Sequence, residues 1–435
     1  MQLTTVSKFG GSSVRDAERI KQICEIIEAD DSRRFIVVSA PEGMTDTLIK
    51  FSDGTHDSFI EHARATYQRF LAMVSDLVLP LESVFVDLGI LQQNEGRPTG
   101  DFLVSRGEYI CAKIVAAYLR YEFLDAARFM RFNKNGEFDL QASMDAWNTL
   151  ELDTSKRYVI PGFYGAMPDG TIKLFSRNAS DFSAAVVAAC AGATLLEKWT
   201  NESGIRRADP RIVPDAEYID ELTFREVREL TSRGTKILHP EVIIPLRKAK
   251  IPIVIKNVDR PDDRGTRIVP NEQATPKPPG TVVGISSQKG YRLFGSEKVP
   301  METGFAARLL GVFAELKIDI AHIVDGVDEM GIVVHEKELP GDRQVELCAR
   351  IKEVCAPDML NIDHGIAIIG VVGHWMDNAP GTAAKVLSAP ASINVSVEII
   401  DQSKNQTNIV LGVADRDCDR VVNVTYDYMI RNRLH

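Results

Sequence analysis

The chain has 435 residues, enough for more than one core, and its 44% apolar and 26% charged content excludes a disordered, fibrous or collagenous protein. Lys and Arg number 51 against 61 Asp and Glu, and the net charge of −10 argues against a nucleic-acid backbone binder and for small-metabolite partners. Six cysteines are scattered without a C-x-x-C, the usage of a reduced compartment and not of a disulfide or zinc framework.

In chain order, short β-branched or apolar runs at residues 4–9 and 34–40 flank a helical pattern at 17–29, in which Ile20, Ile23, Ile26 and Ile27 recur at helical spacing. Helical patterns follow at 59–77, stopping before Pro80, and at 100–121. Residues 158–160 read as a strand, 181–192 as a long Ala-rich helix and 194–199 as another strand. This alternation predicts an α/β fold, an open and mostly parallel sheet with helices on both faces and ligands beyond the carboxyl ends of its strands. The N-terminus lacks a basic-then-apolar signal, and the most apolar stretch, 184–196, is too short and too rich in Ala and Gly to span a bilayer. A cytoplasmic protein with no membrane partner is expected.

Three prolines within residues 276–279, amid polar neighbours, mark a linker at 271–280 and end a first domain at residue 270. Beyond it lies an internal repeat. Gly304-Phe305-Ala306-Ala307-Arg308 matches Gly381-Thr382-Ala383-Ala384-Lys385 at an offset of 77, and Ile318-Asp319-Ile320 matches Ile393-Asn394-Val395 at 75. Each copy reads strand, glycine-opened helix, strand ending near an aspartate (Asp325, Asp401), then an apolar strand. That order predicts two ferredoxin-like βαββαβ modules, at 281–362 and 363–435, with interleaving between them left open.

Several polar loops carry chemistry. The first strand runs into Lys8-Phe9-Gly10-Gly11-Ser12-Ser13, where backbone amides converge on an anion beside a lysine; a plain glycine turn with a surface lysine is the alternative. No G-x-x-x-x-G-K or G-x-G-x-x-G occurs. Ser105-Arg106-Gly107-Glu108 opens a helix, so Glu108 reads either as a first-turn capping residue or as a substrate ligand. Arg177 suits a carboxylate clamp, and Ser180 and Asp181 either cap the Ala-rich helix or meet phosphate or metal. Residues 199–211 form a polar loop with three arginines, and Lys236 lies in a glycine-containing loop before His239-Pro240, a histidine read as structural.

Taken in order, these segments resemble the aspartate kinase family of the amino-acid kinase superfamily. The resemblance spans the chain: Lys8-Phe9-Gly10-Gly11-Ser12-Ser13, Val37-Val38-Ser39-Ala40 with Met44-Thr45-Asp46, Ser105-Arg106-Gly107-Glu108, Pro161-Gly162-Phe163-Tyr164-Gly165, Ser180-Asp181, Ala208-Asp209-Pro210-Arg211, Lys236-Ile237-Leu238-His239-Pro240, and two C-terminal modules similar to ACT domains. It implies ATP- and Mg2+-dependent phosphorylation of the L-aspartate side chain to 4-phospho-L-aspartate, at the head of lysine, threonine and methionine synthesis. By the same resemblance Lys8 bridges phosphates and developing charge, Gly10, Gly11 and Ser12 cradle the transferred group, and Lys236, Ile237 and Arg211 hold ATP with Thr200, Asn201 and Arg206. Glu108 grips the substrate ammonium and Arg177 a carboxylate, with Ser39, Thr45, Phe163 and Ser180 lining that pocket; Asp181 organises Lys8 and the magnesium-nucleotide end.

The chain departs from the family at Asn178-Ala179, where Gly-Gly is usual, and at Asn201 and Arg206, where an aspartate and an aromatic residue are usual. These changes bear on nucleotide affinity. A catalytically weakened, amino-acid-binding regulatory homologue and a kinase for another acidic amino acid such as glutamate are therefore the competing readings. The resemblance also implies a monofunctional homodimer joined through its ACT modules. An effector, lysine in the leading reading, is expected at Gly304, Asp325 and Asp328, where unpaired helix amides meet two carboxylates.

Overall fold

The computed structural model describes residues 3–53, 56–80, 100–175, 179–231, 238, 240–374, 376, 379–402 and 407–432. They form two compact units. One comprises Met1–Ile205, Tyr218–Phe224 and Lys236–Thr275; the other comprises Arg206–Glu217, Arg225–Thr235 and Pro276–His435.

The described residues of the first unit form ten strands: β1 (Thr5–Phe9), β2 (Arg33–Val38), β3 (Glu122–Phe123), β4 (Tyr158–Pro161), β5 (Tyr164–Ala166), β6 (Ile172–Leu174), β7 (Leu195–Thr200), β8 (Glu221–Thr223), β9 (Ile253–Asn257) and β10 (Thr266–Val269). Eight of them make one sheet in the order β3-β4-β2-β1-β7-β9-β10-β8, parallel throughout except where β9 meets β10; β5 and β6 form a separate hairpin. Helices cover both faces. On one, Phe9, Ile36, Val38, Val159 and Trp199 form a core with residues of the helices Ala17–Glu28, Met44–Asp53, His56–Asp76 and Gly100–Leu119. On the other, the Ala-rich helix Ala179–Cys190 packs on β1, β2 and β7, its fully buried Ala184, Ala185 and Ala188 allowing close approach to the sheet.

Strand alternation splits the polar residues of β1 and β7 between these faces. Ser7 and Glu197 point to the first, where the Glu197 carboxylate accepts from Ser7 Oγ at 2.8 Å, Trp199 Nε1 at 2.9 Å, and Arg33 through Nε at 2.7 Å and Nη2 at 3.0 Å. Arg33 also donates to the Ile26 carbonyl and lies over the Trp199 ring. Glu197→Ala leaves the Arg33 guanidinium buried without its anion, so it should lower unfolding free energy by about 3–5 kcal/mol. Urea unfolding monitored by tryptophan fluorescence will measure the loss.

The second unit contains a six-stranded antiparallel sheet of β11 (Thr281–Glu297), β12 (His322–Asp325), β13 (Glu329–His335), β14 (Met359–His374), β15 (Ile399–Gln402) and β16 (Asn408–Ala414), in the order β12-β13-β11-β14-β16-β15. The long strands β11 and β14 pair along their whole length, with a register shift between Gln288 and Tyr291. Past that shift, residues 291–297 of β11 pair with β13, whereas residues 366–372 of β14 pair with β16. The start of β11 thus shares a stretch of sheet with β16 and β15, and the start of β14 one with β13 and β12. Two helix-side cores follow, one around Phe294, Phe305, Phe313 and Leu347, the other around Ile285, Ile369, Leu411 and Tyr426. A third cluster, with Tyr291, Val333, Ile399 and Val410, joins the two halves.

The segment Arg206–Glu217 is tied into this unit. Ala208, Val213 and Ala216 belong to the core around Ile369, the Arg207 carbonyl accepts from the Ile285 amide at 2.6 Å, and Tyr426 Oη accepts from the Glu217 amide at 2.9 Å. Among the described residues no helix is long and apolar enough to cross a membrane.

Candidate functional site

The loops after β1 and β2 lie against one another at the carboxyl ends of adjacent parallel strands, where an open α/β sheet receives its ligands. Phe9 O accepts from the Ser39 amide at 3.2 Å and Gly11 O from the Glu42 amide at 3.1 Å. A Cβ on Gly11 would stand 2.7 Å from the Ala40 carbonyl oxygen, which explains a glycine there on packing alone. The Gly11–Val14 segment coils into a single 3-10 turn that includes Ser12.

Lys8 projects from β1 to the face covered by the Ala-rich helix. Its Nζ is 2.7 Å from Asp181 Oδ1, on the first turn of that helix. The other oxygen, Oδ2, is 2.6 Å from Nζ of Lys198 on β7. Lys8 and Lys198 are register partners across β1 and β7, so both side chains leave the same face at the same level. Burial alone would raise the Asp181 carboxyl, but Lys198 and Lys8 outweigh it and hold the group well below the usual carboxylate range. Burial, aided by the nearby Lys8 charge, depresses the Lys198 ammonium despite Asp181.

Glu108 is the ninth residue of the helix Gly100–Leu119, well inside it, so the capping reading and the expectation that residues 105–108 open a helix are both incorrect. Gly100 and the residues after it already supply the first turn. The Glu108 side chain is 3% exposed, takes a hydrogen bond from the Ala40 backbone, and its Oε2 has no hydrogen-bond partner among the described residues. Burial pushes its carboxyl up to about 8, against the opposing pull of Lys8 and Arg106. A buried carboxyl of this kind keeps its proton and ionises readily only where a cation pairs with it. Gly107 permits the approach, because a Cβ there would stand 2.9 Å from that of Ala40.

Phe163 adopts φ +77, a left-handed conformation that a non-glycine residue holds only under constraint. The constraint is visible: its amide donates to Ser183 Oγ at 3.0 Å and its carbonyl accepts from the Phe175 amide at 2.9 Å. Its neighbour Gly162 presses on Ser180, where a Cβ would come within 3.0 Å. Ser180 is buried, Ser39 and Thr45 are half-buried, and Thr45 sits in the first turn of the helix Met44–Asp53.

Of the expected nucleotide residues, Thr200 ends β7 and Asn201 follows, its carbonyl accepting from Asn257 Nδ2 at 3.1 Å. Arg206 and Arg211 belong to the segment held in the second unit. Arg206 donates to the Ala216 carbonyl at 3.0 Å, and Arg211, 84% exposed, pairs with Asp209 at 2.6 Å. Arg177, Asn178, Lys236 and Ile237 lie outside the described residues. In the second unit Gly304, at φ +84, precedes the helix Phe305–Glu315; Asp325 ends β12 and is exposed, and Asp328 Oδ1 accepts from the Met301 amide at 3.3 Å.

Two side chains escaped the sequence reading. Lys198 was signalled only by a Glu-Lys pair inside a short strand, whose two charges leave opposite faces. Arg106 is buried with no carboxylate ion pair among the described residues, its guanidinium 4.3 Å and 4.2 Å from the ring centres of Phe102 and Tyr109.

Residues 4–257 match the amino acid kinase family, and residues 369–428 match the ACT domain. The chain is similar to Aspartokinase 3 of Bacillus subtilis, with 30% identity over 97% of each protein. In structure it is similar to the aspartate kinase of Clostridium acetobutylicum, at a TM-score of 0.91 and 32% identity, covering 98% of this chain and 100% of that one. It shares its fold with E. coli aspartokinase III in complex with aspartate and ADP, at a TM-score of 0.77 and 24% identity over 98% of this chain and 99% of that one.

Proposed function

The chain belongs to the amino acid kinase family and, within it, to the aspartokinases, and on that premise we propose how its residues carry the reaction. A side-chain carboxylate oxygen of L-aspartate attacks the γ-phosphorus of ATP, the bond from that phosphorus to the β-phosphate oxygen breaks, and 4-phospho-L-aspartate and ADP result. Such a transfer asks the protein to position two anions and offset their charge. Lys8 meets the transferred group over the Gly10-Gly11-Ser12 turn, Asp181 holds Lys8 in place, and Glu108 takes the substrate ammonium, with Ser39, Thr45, Phe163 and Ser180 around it. Arg177 binds a substrate carboxylate; Thr200, Asn201, Lys236 and Ile237 serve the nucleotide.

The observation that carries this reading is the buried Lys8–Asp181 pair beside a buried, cation-seeking Glu108 at the sheet's carboxyl edge. Magnesium would enter on the triphosphate. Both Asp181 oxygens face lysines, and among the described residues no three His, Cys, Asp or Glu side chains group as metal ligands, a donor set suited to an ion held chiefly by phosphate and water. A coupled ADP-release assay with Mg-ATP tests the function: release dependent on L-aspartate supports it, whereas release with L-glutamate alone, or none above the water blank, overturns it.

The second unit serves regulation of this cytoplasmic enzyme, with lysine bound by Gly304, Asp325 and Asp328. The open edge strands β12 and β15, carrying exposed Ile323 and Ile400, are suited to pairing with a second copy as a homodimer. Lysine is expected to bind and inhibit, and Asp325→Ala to weaken lysine at least tenfold while leaving the uninhibited rate unchanged. Calorimetric titration of wild type and variant with lysine, threonine and methionine checks both statements.

A further inference from the structure

Lys198 has no role in the reaction as described so far. It nevertheless takes half of the carboxylate on which Lys8 depends: Asp181 Oδ1 lies 2.7 Å from Lys8 and Oδ2 lies 2.6 Å from Lys198. The three side chains are 10%, 12% and 14% exposed for Lys8, Asp181 and Lys198, so their charges are weakly screened by solvent. A lone Lys8–Asp181 pair would be neutral, and its carboxylate would both repel an incoming phosphoryl group and hold Lys8 back from it. With Lys198 in its ammonium form, the group carries a net charge of +1, and Asp181 keeps a partner on one oxygen when Lys8 turns to the substrate.

The position of Lys198 is well determined. It is locked across from Lys8 by the parallel register of β1 and β7. Its neighbours Glu197 and Trp199 anchor β7 on the opposite face through Arg33, Ser7 and the stack of Trp199 on Phe9, with ring centres 5.9 Å apart. The ammonium is thus carried on a rigid central strand, as a preorganised charge must be.

We propose that Lys198 is a positioning residue for phosphoryl transfer, which anchors Asp181 and keeps the Lys8 site electropositive as Lys8 engages the transferred group. The proposal rests on the aspartate kinase reading above. It makes Lys198 count in the transition state and little in the binding of either ground-state substrate.

The test compares wild type, Lys198→Met and Lys198→Arg in the coupled assay with Mg-ATP and L-aspartate. Binding of ADP alone, and of ADP with magnesium, aluminium fluoride and L-aspartate as a mimic of the transferring phosphoryl group, is measured by calorimetry. Lys198→Met is expected to lower kcat about 10- to 100-fold and to weaken the mimic by a similar factor, with the KM for aspartate and the affinity for ADP within about threefold. Lys198→Arg, which keeps the charge, should recover most of kcat. In an Asp181→Asn background the same Lys198→Met change should cost less than about threefold, because the partner through which it acts is gone. Should Lys198→Met lack a cooperative melting transition, the shorter, polar but neutral Lys198→Gln takes its place. A kcat within twofold of wild type, equal losses for ADP and for the mimic, or an arginine variant as damaged as the methionine one would overturn the proposal. Wild-type protein without aspartate-dependent turnover would instead overturn the kinase reading beneath it.

Discussion

Lys8→Ala is expected to lower aspartate-dependent ADP release about a thousandfold while the protein still melts cooperatively within a few degrees of wild type. The kinetic loss follows from position. Lys8 is the last polar side chain of β1 before the Gly10-Gly11 turn, and its ammonium reaches Asp181 at the edge where an anionic group would arrive. Removing it takes away a fixed, poorly screened positive charge at the place where negative charge shifts during transfer. Stability is spared because Asp181 retains Lys198 at 2.6 Å, so no carboxylate is left buried and alone. Asp181→Ala has the opposite balance: activity falls as far, and two like charges on neighbouring strands lose the anion between them. Its melting temperature should therefore drop further than that of Lys8→Ala, and side-by-side calorimetric scans will show whether it does.

Glu108→Gln should weaken aspartate about a hundredfold at pH 8 with little change in the KM for ATP. Pairing with the substrate ammonium requires an ionised carboxylate, and in the free protein burial holds this one up to about 8. Wild-type kcat/KM for aspartate should therefore climb with pH until about 8 and then level, whereas the glutamine variant should show no such rise. Stability runs the other way. With its carboxyl raised above the ordinary value, folded Glu108 keeps a proton that the unfolded chain has released, so wild-type stability declines as pH rises from the ordinary carboxylate range through about 8. Glutamine cannot ionise, and Glu108→Gln should melt about 2–4 °C above wild type at pH 8, with the advantage vanishing near pH 4. A rise in the KM for ATP in place of that for aspartate would reverse the assignment of the two half-sites.

Val327, 90% exposed, lies in the turn between β12 and β13, close in sequence to both proposed effector aspartates. Asp328 is already engaged by the Met301 amide, whereas Asp325 is exposed at a strand end. This difference is why the lysine titration is built on Asp325.

Much of the molecule was legible in its amino-acid order because the relevant interactions are local. The alternation of apolar strands with a helical period at Ile20, Ile23 and Ile27 predicts the strand-helix-strand start, and β1, the helix Ala17–Glu28 and β2 lie within two residues of those bounds. The 77-residue offset between Gly304 and Gly381 predicts equivalent turns, and both glycines precede helices in the same left-handed conformation. The Lys8-Phe9-Gly10-Gly11 turn is local too, since a strand that ends in paired glycines offers its amides wherever the rest of the chain runs.

What only the tertiary structure decided is which charges meet. Lys198 and Asp181 are 17 residues apart and belong to different elements, and their contact with Lys8, a further 173 residues away, depends on strand register and on which face each side chain leaves. Glu108 reads as a cap in sequence because helix starts are marked only statistically, and its burial depends on Ala40 and the loop after β2. Residues 199–211 read as a polar loop, but Arg207 is held by β11, and Glu217 just beyond it by Tyr426, far along the chain. Local pattern specifies backbone conformation because its energies act over a few residues, whereas the state of a buried charge is set by desolvation and by partners that only the folded chain brings within reach.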